Sequence, residues 1–154
     1  MPTETGKNSI RRIHVITIIK KQTTMETKTI VLAYHDAFYK NDRAVVRKLL
    51  ADNGTFVGPL NAFTDADAFL DSAAVFMKLT KRTDIKKIFV DGDEACIIYD
   101  STTIVQSIPT LPIASWFKVE AGKIKFFHVH FDPSPFVKAK ENGDITKALE
   151  ACIK

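Results

Sequence analysis

The chain has little cysteine, with two residues among 154, Cys96 and Cys152. Two cysteines this far apart do not make the disulfide framework of a small secreted protein, so we expect both thiols to be reduced. No CxxC or HxxxH spacing occurs, and we therefore predict no metal site. These features favour a cytoplasmic protein that uses no metal or other cofactor.

Long apolar runs and a general excess of one charge sign are also missing. No stretch approaches the length that a membrane-crossing helix needs. Residues 1–24 carry five basic residues and one Glu, which accounts for the whole net charge of +4, so the rest of the chain is neutral. A neutral body offers no basic groove for releasing phosphate counterions. We therefore expect neither a nucleic-acid nor a membrane partner.

Residues 1–24 form a segment of their own. Its centre reads IRRIHVITIIKK, an apolar stretch bracketed by basic residues. The stretch is too short for a secretory signal and lacks a small-residue cleavage site after it. Met25 then opens METKTIVLAYHDAF, a clear helix start. We predict a disordered or loosely attached extension over residues 1–24. The alternative is a short added strand over residues 13–19.

From residue 27 the spacing of apolar residues predicts three helices. The second helix has Asp42 as its N-cap, and the third has Thr64 or Asp65. The later residues instead follow the pattern of strands, at 85–90, 95–103, 113–120 and 123–131. A strand is also predicted at residues 55–57, between the second and third helices. The order helix, helix, strand, helix and then an antiparallel meander predicts an α+β domain over residues 25–135. A C-terminal tail with short helices is predicted over residues 136–154.

The phrase WFKVEAGKIKFFHVHFDP at residues 116–133, combined with this element order, resembles the SnoaL-like polyketide cyclases and ketosteroid isomerases. These belong to the nuclear transport factor 2-like superfamily. The resemblance implies a cone of three N-terminal helices packed on a strongly curved, mostly antiparallel sheet around one pocket. It also implies a homodimer. The fold hosts enzymes, binders and assembly modules, so the resemblance defines no activity.

The isomerase mechanism can be compared with this sequence residue by residue. It needs a carboxylate base, together with a tyrosine and a protonated acid that hold the oxyanion. Tyr34 matches the oxyanion tyrosine. The resemblance puts the base at Gly58, and the neutral acid at Ser115 or, with the turn aligned differently, at Ala114. Because only one of the three required groups, the tyrosine, is present in this sequence, we reject steroid isomerisation by this mechanism.

The alternation of the predicted strands, aligned with the family, predicts which side chains face the pocket. Together with Tyr34 they would form an aromatic cavity with a few hydroxyl groups. The predicted ligand-binding residues are Phe38, Phe56, Tyr99, Ser101, Ser115, Phe117 and Phe131. This composition is typical of a small-molecule site. The alternative is that the same residues fill a closed core that has no cavity.

His128, His130 and Asp132 alternate, so they share one face of the last strand. They form either an acid/base cluster or part of an outer face through which the fold dimerises. Because the alternation turns the intervening aromatic residues inward, the outer face is favoured for the histidines. Asp132 matches the family's strand-ending Asp, and we expect it to turn toward the cavity mouth. His35, beside Asp36, is expected to be solvated on the first helix.

Two functions are consistent with these observations. In the first, a cytoplasmic homodimer binds a hydrophobic or aromatic small molecule, as a cofactor-free cyclase, isomerase or hydratase. Tyr34 would be the hydrogen-bond donor and Asp132 the acid/base. In the second, the outer face of the sheet binds a protein partner or a second copy without catalysis. Ionisable groups in the cavity would favour the first, and an exposed apolar patch around Trp116 and Phe126 the second.

Overall fold

The computed structural model describes residues 4–153; residues 1–3 of the predicted extension and residue 154 of the predicted tail lie outside that part. Within the described range the chain forms five helices: α1 (Glu4–Tyr39), α2 (Arg43–Leu49), α3 (Ala66–Leu79), α4 (Ser134–Glu141) and α5 (Asp144–Ala151). None of these helices combines the length and the apolar content needed to cross a bilayer.

Aspartate side chains hold the starts of α2 and α3. The carboxylate of Asp42 accepts a hydrogen bond from the Val45 amide at 3.1 Å. Asp65 accepts one from the Ala68 amide at 2.8 Å, so Asp65 rather than Thr64 is the N-cap of α3. Each carboxylate satisfies an amide that has no partner within its helix.

Six strands form one sheet in the order β2-β1-β6-β5-β4-β3. Their bounds are β1 (Leu50–Val57), β2 (Ala62–Phe63), β3 (Thr80–Asp91), β4 (Glu94–Thr103), β5 (Leu111–Glu120) and β6 (Lys123–His130). All neighbouring pairs are antiparallel except β1 and β6. Register shifts in three of these pairs mark irregularities at which a sheet bends. The predicted α+β class with a mostly antiparallel sheet is confirmed.

The inner face of the sheet follows from strict alternation along its central strands. The side chains that point inward are less than one-tenth exposed. They belong to Ile97, Tyr99, Ser101 and Thr103 on β4 and to Ile113, Ser115, Phe117 and Val119 on β5. A two-residue turn between β5 and β6 sets the register. Both of its residues, Ala121 and Gly122, have positive φ angles of 50° and 74°, as the primed hairpin turns require.

Helix α1 is longer than predicted. It runs through residues 10–24 without a break, so the alternative of a strand over residues 13–19 is wrong. The large apolar side chains of this stretch are more than half exposed, from Val15 at 55% to Ile10 at 65%. Packing begins at Thr27, which is 1% exposed and donates a hydrogen bond to the Gly92 carbonyl at 2.8 Å. Whether residues 1–24 are a separable extension stays a prediction.

The two C-terminal helices lie close to where the tail was predicted to be helical. Phe136 of α4 is buried, and its ring lies 5.2 Å from that of Phe76 on α3 and 5.7 Å from that of Phe131. The tail therefore packs on the domain and closes one end of its aromatic core.

Candidate functional site

A cavity of about 230 Å³ lies between helices α1 and α3 and the inner face of the sheet. Its deep wall is aromatic, because the rings of Phe56, Phe69 and Phe127 meet with centroids 4.9–5.4 Å apart. The lining residues that remain exposed are Pro59, Leu60, Asn61 and Ser72, which belong to the β1–β2 connection and α3. The cavity therefore opens on that side of the domain.

Most of the predicted site residues line this cavity. They are Tyr34 and Phe38 on α1, Phe56 on β1, Tyr99 on β4, Ser115 and Phe117 on β5, and Phe131 just after β6. Because one space touches all seven side chains, the inward alternation of the strands brings together residues nearly a hundred positions apart.

Tyr34 presents a free hydroxyl within an aromatic setting. Its ring lies 5.5 Å from Phe117 at a steep angle and 5.7 Å from Phe127. The side chain is 7% exposed, and its hydroxyl makes no hydrogen bond with any described residue. Burial, and secondarily the neighbouring Tyr99, raises the pKa of Tyr34 well above its ordinary value. The hydroxyl therefore stays protonated and can donate one hydrogen bond.

Three further hydroxyl groups form a chain along one wall. The Tyr39 and Tyr99 oxygens are 2.6 Å apart, and the Tyr99 oxygen is 3.2 Å from Ser115 Oγ. Burial raises the pKa of both tyrosines, so this chain is also protonated at neutral pH. Tyr39 was not among the predicted site residues. A signal was present, because Val31, His35 and Tyr39 follow one another at four-residue spacing and so share a helix face.

His35 is buried, and the prediction that it is solvated beside Asp36 is wrong. The residue is 6% exposed, and its Nε2 lies 3.1 Å from Thr83 Oγ1 on β3. Its ring meets the Tyr99 ring edge-on at 4.6 Å. Burial lowers the pKa of His35 to about 4, a shift that the Asp36 charge opposes. The imidazole is therefore neutral at pH 7, while Asp36 binds Lys40 at 2.9 Å.

Charged side chains are absent from the cavity lining within residues 9–153, whose side chains the structure describes. The positions at which the isomerase resemblance expects carboxylates hold Gly58 and Ser115, and both line the cavity. Across the same range, no three His, Cys, Asp or Glu side chains come together in a way that could hold a metal ion. The groups able to exchange protons here are the tyrosine and serine hydroxyls and the imidazole of His35.

Asp132 and Ser101 do not line the cavity, contrary to expectation. The Asp132 carboxylate is exposed and accepts hydrogen bonds from the Ser134 hydroxyl at 2.6 Å and the Ser134 amide at 3.0 Å. These bonds hold the pKa of Asp132 below its ordinary range and tie the residue to the start of α4. Ser101 points inward, but it is 1% exposed and its Oγ has no partner within the described chain.

The outer face of the sheet carries the second predicted cluster. The rings of His128 and His130 lie 3.9 Å apart. Beside them Trp116 is 42% exposed, packs edge-on against Phe126 at 4.9 Å, and donates its indole N–H to Glu94 at 2.9 Å. The two histidines therefore lie outside the cavity, on the face that alternation favoured.

Comparison with known proteins agrees with this fold. The family model of the SnoaL-like domain matches residues 31–127. No curated protein matches the chain in sequence.

Three solved structures illustrate the likeness. A protein of Kribbella flavida is 27% identical, with a TM-score of 0.69 over 75% of this chain and 94% of its own. A Jannaschia protein described as a SnoaL-like polyketide cyclase is 16% identical, with a TM-score of 0.65 over 75% and 92%. An epoxide hydrolase of Mycobacterium tuberculosis is 17% identical, with a TM-score of 0.64 over 84% and 96%. Because the last two structures have low sequence identity to this chain, they are evidence for its fold and not for its activity. Because the family model covers well over half of the 154 residues, the chain belongs to the SnoaL-like domain family and has the nuclear transport factor 2-like fold.

Proposed function

We propose that this protein binds a small apolar or aromatic molecule in the cavity between α1, α3 and the sheet. The observation that carries the proposal is the lining itself. It combines an aromatic enclosure of about 230 Å³ with hydroxyl groups gathered on one wall. Small-molecule sites have this composition, in which apolar walls bind the ligand and a few polar groups orient it.

The chemistry that these residues support is cofactor-free proton transfer, as in a cyclase, isomerase or hydratase. His35 lines the cavity as a neutral imidazole, and in this proposal it takes the proton from a carbon beside a ligand carbonyl. The Tyr34 hydroxyl can donate a hydrogen bond to the oxygen on which negative charge then develops. Return of the proton to another carbon would complete an isomerisation. In this proposal His35 has the acid/base role that the sequence assigned to Asp132.

Native mass spectrometry of the purified protein, combined with a ligand-observed NMR screen of small aromatic compounds, tests the binding function. The matched control is Ala73→Leu, because Ala73 is buried against the cavity and three added carbons would fill part of it. We expect compounds that bind the natural chain and not this variant. A screen without hits, or hits that bind both proteins equally, would overturn the proposal.

The outer-face patch of exposed Trp116 and half-buried Phe126 favours a second function, which is self-association through that face. We propose a two-fold interface that brings His128 and His130 next to their symmetry mates. Partial burial, and then the charge of His130, lowers the pKa of His128. Protonation would place like charges together, so the dimer should weaken as pH falls from 8 to 5. Sedimentation that finds a monomer, or an equally tight dimer at both values, counts against this interface.

The predicted cytoplasmic location belongs to the same proposal. Cys96 is half-buried and Cys152 exposed, and both are free thiols. Fractionation of the native host would test the location: recovery in the oxidising extracellular fraction would contradict it.

A further inference from the structure

The first part of helix α1 carries an apolar surface that the folded domain leaves in water. Six large aliphatic side chains within residues 10–19 are 55–65% exposed. They belong to Ile10, Ile13, Val15, Ile16, Ile18 and Ile19. A contiguous exposed surface of this kind marks a site that binds a partner or a membrane.

These side chains surround the helix and do not form one stripe. At the α-helical spacing, neighbouring members of the set are nowhere more than about 80° apart around the axis. A helix that packs on a single neighbour needs one apolar stripe, whereas a helix that is apolar all round is buried on all sides. The matching environment therefore encloses residues 10–19, as lipid or a bundle of several helices would.

Charge decides between lipid and a bundle made from copies of this chain. Arg11 and Arg12 precede the centre of the apolar stretch, Lys20 and Lys21 follow it, and no Asp or Glu occurs in residues 5–25. All four basic side chains are exposed, and none makes an ion pair within the described chain. Bundling copies of this helix would bring like charges together. An anionic leaflet would attract all four.

The placement of the charges fits a helix that lies at the level of the lipid headgroups. Residues 13–19 contain no Lys, Arg, Asp or Glu. They span about 10 Å of helix, a third of the roughly 30 Å hydrocarbon core, so they can enter one leaflet and not cross both. The long stems of the flanking basic residues allow their charges to reach back to the headgroups. Nucleic acid would bind the four charges and leave the aliphatic side chains in water, which makes it a poorer match.

From the exposure, the distribution around the helix and the flanking charges, we propose that residues 10–21 dock on an anionic lipid surface. The aliphatic side chains lie among the acyl chains, and the basic pairs lie at the headgroup phosphates. The expectation of no membrane partner rested on the neutral body of the chain. This proposal replaces it, because the whole net charge of +4 lies in residues 1–24. The docking is independent of the cavity, so neither proposal depends on the other.

Co-sedimentation of the full chain with lipid vesicles tests the docking. One vesicle type is phosphatidylcholine alone, and the other is an equal mixture of phosphatidylcholine and phosphatidylglycerol. Each basic residue near an anionic leaflet strengthens binding about fivefold. With four such residues, the affinity for the mixture should exceed that for phosphatidylcholine alone by at least about a hundredfold. A chain that begins at Met25 lacks the segment and should sediment with neither vesicle type.

A double variant measures the apolar contribution. Ile16→Ser combined with Ile19→Ser should weaken binding to the mixed vesicles at least about tenfold, because two aliphatic side chains no longer leave water. The matched control is Val75→Ser combined with Ile153→Ser, which removes two exposed aliphatic side chains elsewhere and should bind like the natural chain. Since Ile16 and Ile19 are more than half exposed, the first variant should keep the natural melting temperature.

A second double variant measures the electrostatic contribution. Lys20→Gln combined with Lys21→Gln should weaken binding to the mixed vesicles about 25-fold and leave the weak binding to phosphatidylcholine unchanged. Lys78→Gln combined with Lys81→Gln removes the same charge from exposed positions on the domain and is the matched control. It should retain most of the natural affinity.

Several results would overturn the docking proposal. These are equal affinity for the two vesicle types, sedimentation of the Met25 chain with the mixed vesicles, or natural affinity in the Ile16 and Ile19 variant. Failure of the full chain to sediment with either vesicle type would also overturn it, and an acidic protein would then be the better candidate for this surface. None of these results bears on ligand binding in the cavity, which the small-molecule screen tests separately.

Discussion

The two halves of helix α1 share one continuous backbone and differ in almost everything else. Residues 10–24 carry apolar side chains that are more than half exposed, whereas residues 27–39 bury Val31 fully and contribute Tyr34, His35, Phe38 and Tyr39 to the cavity. Helical backbone is thus common to both halves, and tertiary packing is confined to one. Stability and ligand binding should therefore both reside in the second half, because most helix stability in proteins comes from packing an apolar face.

The largest expected difference between the halves is in stability. Phe38→Ala removes a buried ring and should lower the free energy of unfolding by about 3 kcal/mol, the lower end for such changes because the ring already borders a cavity. Ile16→Ala in the exposed half should stay within about 0.5 kcal/mol of the natural chain. Urea denaturation measures both. Equal losses would show that the first half packs as well as the second.

A second difference concerns pH. Because burial lowers the pKa of His35 to about 4, the unfolded chain binds the proton more readily than the folded one between pH 4 and about 6.5. Stability should rise with pH through this window, by up to about 3 kcal/mol from this residue. His35→Gln should flatten that slope, and His14→Gln in the exposed half should not. Parallel pH profiles for the natural chain and His35→Gln would refute the burial of this imidazole.

His35, which causes this pH dependence, was predicted from the sequence to lie on the surface. The sheet faces could be predicted because strand alternation has a period of two and the inward residues of β4 and β5 are well patterned. The burial of His35 could not be predicted from the main apolar stripe. It depends on the edge strand β3, whose Thr83 reaches over that side of the helix.

Local hydrogen bonding explains why Asp132 does not reach the cavity. Asp132 stands two positions before Ser134, and at a helix start such a carboxylate bonds to the nearby backbone. That spacing was visible in the sequence as Asp-Pro-Ser-Pro, and it favours a turn over a side chain aimed at the cavity. The short strand β2 was also missed, because its two residues show no period at all.

Tyr34→Phe and Tyr39→Phe compare two hydroxyl groups within residues 27–39 of α1. The Tyr34 hydroxyl has no partner among the described residues, so its removal should change the free energy of unfolding by less than about 0.5 kcal/mol. Tyr39→Phe breaks the 2.6 Å bond to Tyr99 and should cost about 1 kcal/mol. Thermal denaturation at pH 7 compares them. A larger loss for Tyr34→Phe would mean that its hydroxyl bonds to protein and is not free for a ligand.

The smallest expected effect follows from deleting the exposed half. A chain that begins at Met25 keeps Thr27 and all packed residues of α1, so its melting temperature should match that of the full chain within about 1 °C. A drop of several degrees would show that residues 1–24 pack on the domain, and the boundary predicted at residue 25 would then be wrong.

The most direct test of a ligand-binding cavity is an NMR titration of the ¹⁵N-labelled full chain with a small aromatic compound that binds in the ligand-observed screen. Saturable amide shift changes should appear in residues 31–39 of α1 and residues 115–117 of β5, where the lining side chains are attached. Residues 10–24 should show none, since their side chains lie away from the cavity. Shift changes confined to residues 10–24 or to the outer-face residues Phe126 and His128, or no saturable change at all, would contradict the account.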